Sequence, residues 1–463
     1  MGDEASQARA LAHINADSVY MLLHHGWRGE ARSNRWHFAT RWARHLPVVL
    51  VCPETLWPRG RRKSEPRIKN CRILEVLPNS GPVWQRAPQL QVAQILADMR
   101  ASGVQRPLLW IYNAYFAEAF ALLPAVARLH HITENYFDFQ SSSIAPYLER
   151  TKFVSTVADL NVAVSEGCSK PLEYLVQPQR MLVATNGCDF ADYGRSGPSD
   201  PETLSLRQGF RRLAVYGGNI NERIEFDLVR RIADASPDTQ LLFVGANQLG
   251  PAGAAQFSDL LARPNISTLG PVDPGRLPSI YRAADLGFIP FVRDRWISEN
   301  GFPLKTLEMA ATGLPVVSTL MRPLLQHSPP LSVTTNHEEF LAAFLRAERE
   351  PQLSQALREL AAANDYDSRF TTIVERLASL PRQQGARLDS LVQSFPNETA
   401  SVLQNALLRD GRSLWHMCSL VLPDIRERIL ARVLSALNLL PPPLRQMIRR
   451  AKRKIFGDPR IAE

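Results

Sequence analysis

Short apolar runs alternate with longer amphipathic stretches through most of the chain. In the first part of the chain these runs cover residues 19–23, 48–51, 108–112, 161–165 and 181–184. The stretch 36–45, between the first two runs, has helical spacing. Buried parallel strands read as continuous apolar runs, and consecutive parallel strands need helical connections between them. The pattern therefore predicts a parallel α/β domain.

The same pattern starts again after a break. Residues 194–201 are rich in turn formers and lack apolar periodicity, so we predict a linker there. New apolar runs then follow at residues 213–216, 241–244, 266–269, 286–290 and 315–318. Beyond about Arg382 the spacing is helical, without strand-like runs. We predict two parallel α/β domains, at residues 17–195 and 205–382, and a helical, basic C-terminal extension at 386–463.

Composition and charge agree with an ordinary globular protein that has a negatively charged partner. The 463 residues suffice for two or three domains, and 45% of them are hydrophobic. There are 54 lysines and arginines against 45 aspartates and glutamates, a net charge of +9. The five scattered cysteines form no C-x-x-C pair, and we see neither a signal peptide nor a membrane span. We therefore expect reduced thiols and a cytoplasmic protein.

Two common nucleotide-binding motifs are missing. No G-x-G-x-x-G follows the first predicted strand, and no G-x-x-x-x-G-K-[ST] loop occurs in the chain. Both the nicotinamide-dependent dehydrogenase and the P-loop interpretation lose support.

A loop–helix–turn–strand segment at residues 299–318 carries the most informative chemistry. Pro303 suits a helix start, and Lys305 then lies in the first helical turn, where free amides favour an anion such as phosphate. Glu308 lies three residues further, on the same helix face, where its carboxylate could accept hydrogen bonds from the vicinal hydroxyls of a ribose. Together these residues indicate a nucleoside diphosphate site. The alternative is a surface helix with a Lys/Glu pair.

A second signal is the pair Gly217 and Gly218, which follows an apolar run and permits close backbone approach to a ligand. Arg223, a few residues later, could bind a phosphate in a bidentate manner. Taken alone, this segment is more typical of a turn followed by a solvated arginine than of a ligand site.

The order of these segments resembles that of GT-B glycosyltransferases, and of family 4 in particular. The resemblance rests on Gly217-Gly218 and Arg223, on residues 265–272 and 277–285, and on the Pro303, Lys305 and Glu308 segment. It implies two Rossmann-like parallel-sheet domains facing across a cleft. It also implies an acceptor-side first domain and a second domain that binds a nucleotide sugar. The implied donor-binding residues are Gly217, Gly218, Arg223, Val272, Glu299, Asn300, Pro303, Lys305, Thr306 and Glu308.

One departure from the family concerns the donor sugar. Eight positions before Glu308, where the family has an acidic residue that contacts sugar hydroxyls, stands Asn300, with Glu299 one position earlier. Either Asn300 contacts the sugar as a neutral amide, or a local bulge lets Glu299 substitute. The Pro-x-Lys-x-x-x-Glu variant resembles a branch of polysaccharide glycosyltransferases.

In the first domain, Gly26 and Arg28 follow the first predicted strand and are candidates for the donor or acceptor cleft, because ligands in such sheets bind at the carboxyl ends of strands. His131 and Glu134 occupy the place where the family carries a histidine or acidic loop facing the sugar. We predict them as catalytic, either as a base for an inverting transfer or as contacts to the donor sugar. The alternative is one packed and one solvated histidine at 130–131.

The resemblance further implies that no metal is needed. No Asp-x-Asp pair lies in a suitable loop, and GT-B enzymes typically stabilise the leaving diphosphate by other means. Lys305, Arg223 and helix amides would perform this role, with the nucleoside diphosphate sugar as co-substrate and no further cofactor. The competing hypotheses are a catalytically silent GT-B-like binding protein and, third, a nucleotide-sugar epimerase.

Two basic clusters favour an anionic membrane surface as a further partner. One covers residues 59–72 and the other residues 445–454, where apolar residues lie opposite the charges at helical spacing. The alternatives for the same charge are a solvated surface without a partner and nucleic acid, but no nucleic-acid motif or interleaved aromatic residues accompany it. We expect a glycan or lipid-linked acceptor, bacterial surface polysaccharide or glycolipid synthesis, and a peripheral position on the inner face of the cell membrane.

Overall fold

A computed structural model describes residues 2–28, 30, 32–54, 61–77, 87–138 and 145–381. The predicted extension at 386–463 lies outside these residues. Two parallel-sheet α/β domains face each other in the described chain, so the predicted fold class is confirmed.

The sheet of the first domain has eight strands in the order β3-β4-β2-β1-β5-β6-β7-β8. All neighbouring strands are parallel except β3 and β4, which are antiparallel. The central strands are apolar and buried on both faces, as expected for a sheet covered by helices on both sides. The strands are β1 (Ser18–Leu22), β2 (Val48–Cys52), β3 (Arg61–Ser64), β4 (Cys71–Glu75), β5 (Pro107–Ile111), β6 (Ala127–Ile132), β7 (Leu160–Ala163) and β8 (Met181–Val183).

Helices of the first domain connect these strands and precede them. They are α1 (Gly2–Ile14), α2 (Asn34–Ala43), α3 (Ala87–Ala101), α4 (Ala117–Leu122), α5 (Ala145–Val157) and α6 (Glu166–Ser169). After β8 the chain passes to the second domain through α7 (Phe190–Tyr193) and α8 (Pro201–Leu206). The predicted linker at 194–201 lies between these two short helices.

The sheet of the second domain is wholly parallel, with six strands in the order β11-β10-β9-β12-β13-β14. Its strands are β9 (Arg212–Gly217), β10 (Thr239–Val244), β11 (Ile266–Gly270), β12 (Leu286–Ile289), β13 (Val316–Thr319) and β14 (Ser332–Thr334). Its helices are α9 (Phe226–Ala235), α10 (Pro251–Leu261), α11 (Leu277–Ala283), α12 (Arg295–Asn300), α13 (Leu304–Ala311), α14 (Arg322–Leu325), α15 (His337–Arg346) and α16 (Pro351–Ala363).

The last described helix, α17 (Tyr366–Ser379), returns to the first domain and packs on α1 and α2. Its apolar face joins the core of that domain, where the Phe370 ring lies 4.9 Å from that of Trp42. The sequence analysis places this helix in the second domain, within 205–382. The two crossing segments are joined by a hydrogen bond of 3.0 Å from the Tyr366 amide to the Cys188 carbonyl.

Candidate functional site

A cleft of about 590 Å³ lies between the domains, at the carboxyl ends of both sheets. In each sheet the strand order reverses beside the first strand of the domain, β1 or β9, and ligands of open α/β sheets bind at such reversal points. The wall from the first domain includes His24, His25, Arg32, Arg35, Tyr112, Glu134 and Asn186. The wall from the second domain includes Gly217, Gly218, Arg223, Tyr281, Trp296, Asn300, Pro303, Lys305 and Glu308.

Lys305 lies in the first turn of α13, whose N-cap is Pro303, as the sequence predicts. Its ammonium Nζ lies 3.8 Å from the centre of the Tyr216 ring and 5.0 Å from that of Phe291. Burial lowers the pKa of Lys305 from 10.5 to about 7; Glu308 opposes this shift and the positive charge of Arg223 adds to it. An anion in the cleft would restore the full charge of this lysine.

Two glycines, Gly217 at the end of β9 and Gly218 directly after it, make room for neighbouring side chains. Gly218 has a φ of +122°, and a Cβ there would lie 2.7 Å from the Lys305 Nζ. A Cβ at Gly217 would lie 2.1 Å from the hydroxyl oxygen of Tyr281. Both positions therefore need glycine, because the backbone passes directly against these side chains.

Glu308 lies one turn beyond Lys305 and is buried, with 8% of its surface exposed. Burial raises the pKa of its carboxyl to about 7, while Tyr193 and Lys305 act in the opposite direction. The hydroxyl of Tyr281, which also lines the cleft, has no hydrogen-bond partner among the described residues. Glu308 and Tyr281 thus provide polar groups for a ligand with hydroxyls.

Arg223 connects the two walls of the cleft. Its guanidinium lies over the Trp296 ring, 4.7 Å from the ring centre, and its Nη2 lies 3.6 Å from Glu134 Oε1 of the first domain. Tyr136 donates a 2.6 Å hydrogen bond to the other oxygen of Glu134. The predicted Arg223 and Glu134 are therefore brought together at the cleft.

The other predicted donor residues divide between the cleft and its surroundings. Asn300 lines the cleft, whereas Glu299 pairs with Arg322 at 2.7 Å and is absent from the lining. The bulge that would let Glu299 substitute for the family's acidic residue is therefore not formed. Val272 packs against the core of the second domain, and Thr306 is fully buried; neither lines the cleft.

The structure contradicts the prediction that His131 is a catalytic base. It is fully buried, its ring stacks on Tyr112 at 5.2 Å, and Phe38 and Trp110 also contact it. Neither ring nitrogen has a hydrogen-bond partner in the described part of the chain. Burial, together with the neighbouring His130, lowers its pKa to about 3. A neutral core histidine without access to the cleft cannot accept a proton from a bound acceptor.

The prediction that Gly26 and Arg28 lie in the cleft is also wrong, because neither residue lines it. Gly26 faces the carboxylate of Glu54, which a Cβ would overlap, and Arg28 is exposed to solvent. The neighbouring His24 and His25 line the cleft instead. Burial lowers the pKa of His24 to about 4. The sequence signal for these histidines was their position directly after the first strand.

Sequence reasoning also missed the arginines at the start of α2 and the aromatic residues of the second wall. Arg32 and Arg35 pair with acidic partners, Arg35 Nη2 lying 3.2 Å from Glu30 Oε2. Tyr216, Tyr281 and Trp296 resemble ordinary core positions in the sequence. Only the turn between β12 and α12 places Trp296 at the cleft.

The first basic cluster is largely paired within the domain. Arg62 and Arg72 each lie 2.6 Å from the buried carboxylate of Asp98. Lys63 pairs with Glu75, and Arg67 with Glu65. Arg59 and the second cluster, 445–454, lie outside the described residues. Much of the charge at 61–72 is therefore neutralised by neighbouring carboxylates.

Two facing parallel-sheet domains with a cleft at the carboxyl ends of both sheets have the arrangement of the GT-B fold. Residues 218–361, which carry most of the second wall, match the family described as "Glycosyl transferases group 1".

The chain is also similar to a curated glycosyltransferase and to solved structures of the same fold. The chain is 28% identical over 205 residues, 42% of its own length, to a putative teichuronic acid biosynthesis glycosyltransferase of Bacillus subtilis, and it spans half the length of that relative. HepE of Anabaena in complex with UDP and glucose is similar at a TM-score of 0.59 and 17% identity, over 79% of this chain and all of that one. A UDP-forming trehalose-phosphate synthase of Burkholderia xenovorans has a TM-score of 0.59 at 10% identity, over 80% of this chain and 100% of that one. At these identities the solved structures show the fold alone.

Proposed function

We propose that this protein is a glycosyltransferase that moves a sugar from a nucleoside diphosphate sugar to a glycan or lipid-linked acceptor. The observation that carries the proposal is the placement of Lys305 and Glu308 on one face of α13, beside Gly218 and within the segment that matches group 1 glycosyl transferases. The bound UDP and glucose of HepE support a donor of this class.

In this mechanism the residues of the second wall stabilise the leaving group. The bond between the anomeric carbon and the diphosphate breaks as an acceptor oxygen bonds to that carbon and releases its proton. Lys305 and Arg223 stabilise the negative charge that grows on the diphosphate, together with the first amides of α13. Glu308 accepts hydrogen bonds from the ribose hydroxyls. This arrangement needs no metal ion and no further cofactor.

Glu134 is the carboxylate that the first wall offers near Arg223. Glu134 lines the cleft, whereas His131 is buried in β6. We propose that it contacts the donor sugar or the acceptor hydroxyl, and we assign no anomeric outcome.

The acceptor belongs to bacterial surface polysaccharide or glycolipid synthesis in our proposal, which the teichuronic acid relative supports.

None of the helices that the structure describes has both the length and the apolar character of a membrane span. We propose peripheral attachment through the basic segment 445–454. Flotation with anionic liposomes tests this attachment: deletion of residues 445–463 should abolish it, and unchanged flotation would exclude the segment as the anchor.

Thermal stabilisation by a panel of nucleoside diphosphates and their sugars tests the donor site. A ligand at about 100 times its dissociation constant stabilises a protein by roughly 2.7 kcal/mol. We expect stabilisation of the wild type by one base and its loss in Glu308→Ala. Transfer of a radiolabelled sugar then separates an enzyme from a silent binding protein. No response to any nucleotide would contradict the proposal.

A further inference from the structure

Helix α12 makes polar contacts between the two domains beside the cleft. Trp296 donates a 3.0 Å hydrogen bond from its indole Nε1 to the carbonyl of Asn135, in the loop after β6. At the other end of α12, Asn300 donates a 2.9 Å hydrogen bond from Nδ2 to the Asp138 carboxylate. We call Trp296 and Asn300, with Asn135 and Asp138, the interdomain clasp.

Both amide hydrogens of Asn300 and one lone pair of its Oδ1 are used within this clasp. Its Nδ2 also donates to the Trp296 carbonyl at 2.9 Å, so both amide hydrogens have acceptors. Its Oδ1 accepts a 3.3 Å hydrogen bond from Asn135 Nδ2. With 6% of its surface exposed, the side chain has little room to turn towards a ligand. A sugar hydroxyl that accepts a hydrogen bond from Asn300 Nδ2 would have to displace one of these bonds.

The first domain is shaped to receive Asn300. Gly167, in α6, faces it, and a Cβ there would lie 2.2 Å from Asn300 Oδ1 and 2.7 Å from the Glu299 carbonyl oxygen. The Gly167 carbonyl accepts a 3.0 Å hydrogen bond from Asn135 Nδ2, which holds the receiving loop against α6. Close approach of the two domains here therefore depends on a glycine on one side and an amide on the other.

The clasp also reaches the charged part of the cleft. The Trp296 ring that anchors α12 to Asn135 carries the Arg223 guanidinium on its face, and Arg223 pairs with Glu134 of the same loop. Opening of the clasp would separate Trp296, with the Arg223 guanidinium on its ring, from this loop and from Glu134. The position of the anion-binding arginine is thereby coupled to domain closure.

We infer that Asn300 is a positioning residue that clasps the two domains, and not a ligand of the donor sugar. This inference rests on the proposed function for its catalytic meaning, but the clasp itself is testable without a substrate. An amide is required at position 300 because an acidic side chain would place a second carboxylate against Asp138, where like charges repel.

Hydrogen exchange on the full chain without ligand measures the clasp directly. In Asn300→Asp, the loss of a hydrogen bond to a charged group should speed exchange in peptides covering 133–138 and 295–300 by about tenfold to a hundredfold. Adding Asp138→Asn to this variant restores an amide–carboxylate pair in the reverse sense and should slow exchange again. Gly250→Ala, whose Cβ would meet its nearest neighbour at an ordinary 3.5 Å, is the matched control.

Unchanged exchange in Asn300→Asp, or equal exchange in the single and double variants, would overturn the inference. Peptides covering β1 of the first domain and β9 of the second should keep their protection in every variant, which shows that both domains remain folded.

Once a donor is known, Asn300→Ala should raise its KM while the order of preference among UDP-sugars stays as in the wild type. A changed order would make Asn300 a sugar ligand and overturn the inference. If no nucleotide binds the wild type, the proposed function is refuted, but the hydrogen-exchange test of the clasp is unaffected because it uses no ligand. Failure of the proposed function and failure of the inference are therefore distinguishable.

Discussion

The lowered pKa of Lys305 should make the affinity for the proposed nucleotide-sugar donor depend on pH. In the free protein burial holds this pKa at about 7, and binding of a diphosphate favours the charged form. Affinity should therefore fall as the pH rises above 7, because a growing fraction of the free protein must take up a proton to bind. Glu308 titrates near the same pH and would obscure the effect, so the experiment uses Glu308→Gln.

The size of the effect follows from the protonated fraction. With a pKa of about 7, Lys305 is about half protonated at pH 7 and roughly one part in a hundred protonated at pH 9. The apparent dissociation constant scales inversely with this fraction, so it should rise about fiftyfold over the two pH units. Because Glu308 raises the Lys305 pKa, its removal shifts the titration to lower pH and moves the rise towards about a hundredfold.

Isothermal titration calorimetry with UDP-glucose as the first probe measures this dependence, and any other nucleotide sugar that stabilises the protein can replace it. At about pH 8, binding should take up close to one proton, which is detected by comparing buffers of different ionisation enthalpy. The variant Lys305→Met with Glu308→Gln is the control and should bind weakly with no proton uptake. An affinity that stays flat from about pH 7 to 9 in Glu308→Gln would refute the low pKa of Lys305.

Three further predictions follow from the site. His131→Phe should leave transfer unchanged and raise the melting temperature, because it removes buried nitrogens without partners; a large loss of transfer would restore a catalytic role. Gly217→Ala should destabilise the protein by about 1–3 kcal/mol in urea unfolding through overpacking against Tyr281, with Gly250→Ala as the control, and equal stability would contradict this close approach. Transfer should persist in EDTA, since Lys305 and Arg223 supply the charge, whereas loss of turnover that manganese restores would contradict a metal-free mechanism.

The parts of the site that the sequence predicts well are local ones. Lys305 and Glu308 share a helix face because of their spacing, and Pro303 marks the helix start, so one short segment contains the information. The alternation of apolar runs and amphipathic stretches likewise predicts parallel sheets without knowledge of tertiary contacts.

The errors concern residues whose surroundings are built by distant parts of the chain. His130 and His131 are consecutive in β6, yet both are buried, because helices cover both faces of the sheet and neither neighbour on the strand reaches solvent. Two partners of Asn300, Asn135 and Asp138, come from the other domain. No pattern in residues 366–379 indicates that their apolar face packs on α1 and α2, more than three hundred positions earlier.

Because α17 returns to the first domain, a membrane attachment after residue 381 would fix the first domain and not the second. The Pro381 carbonyl accepts a 2.9 Å hydrogen bond from Arg180 Nη2 of the first domain, so whatever follows residue 381 leaves from that domain. A tail fastened to a membrane would then keep the acceptor wall stationary at the lipid surface. The second domain, for which we propose nucleotide binding, is joined through two crossing segments and would then be the part that moves to bind each new donor.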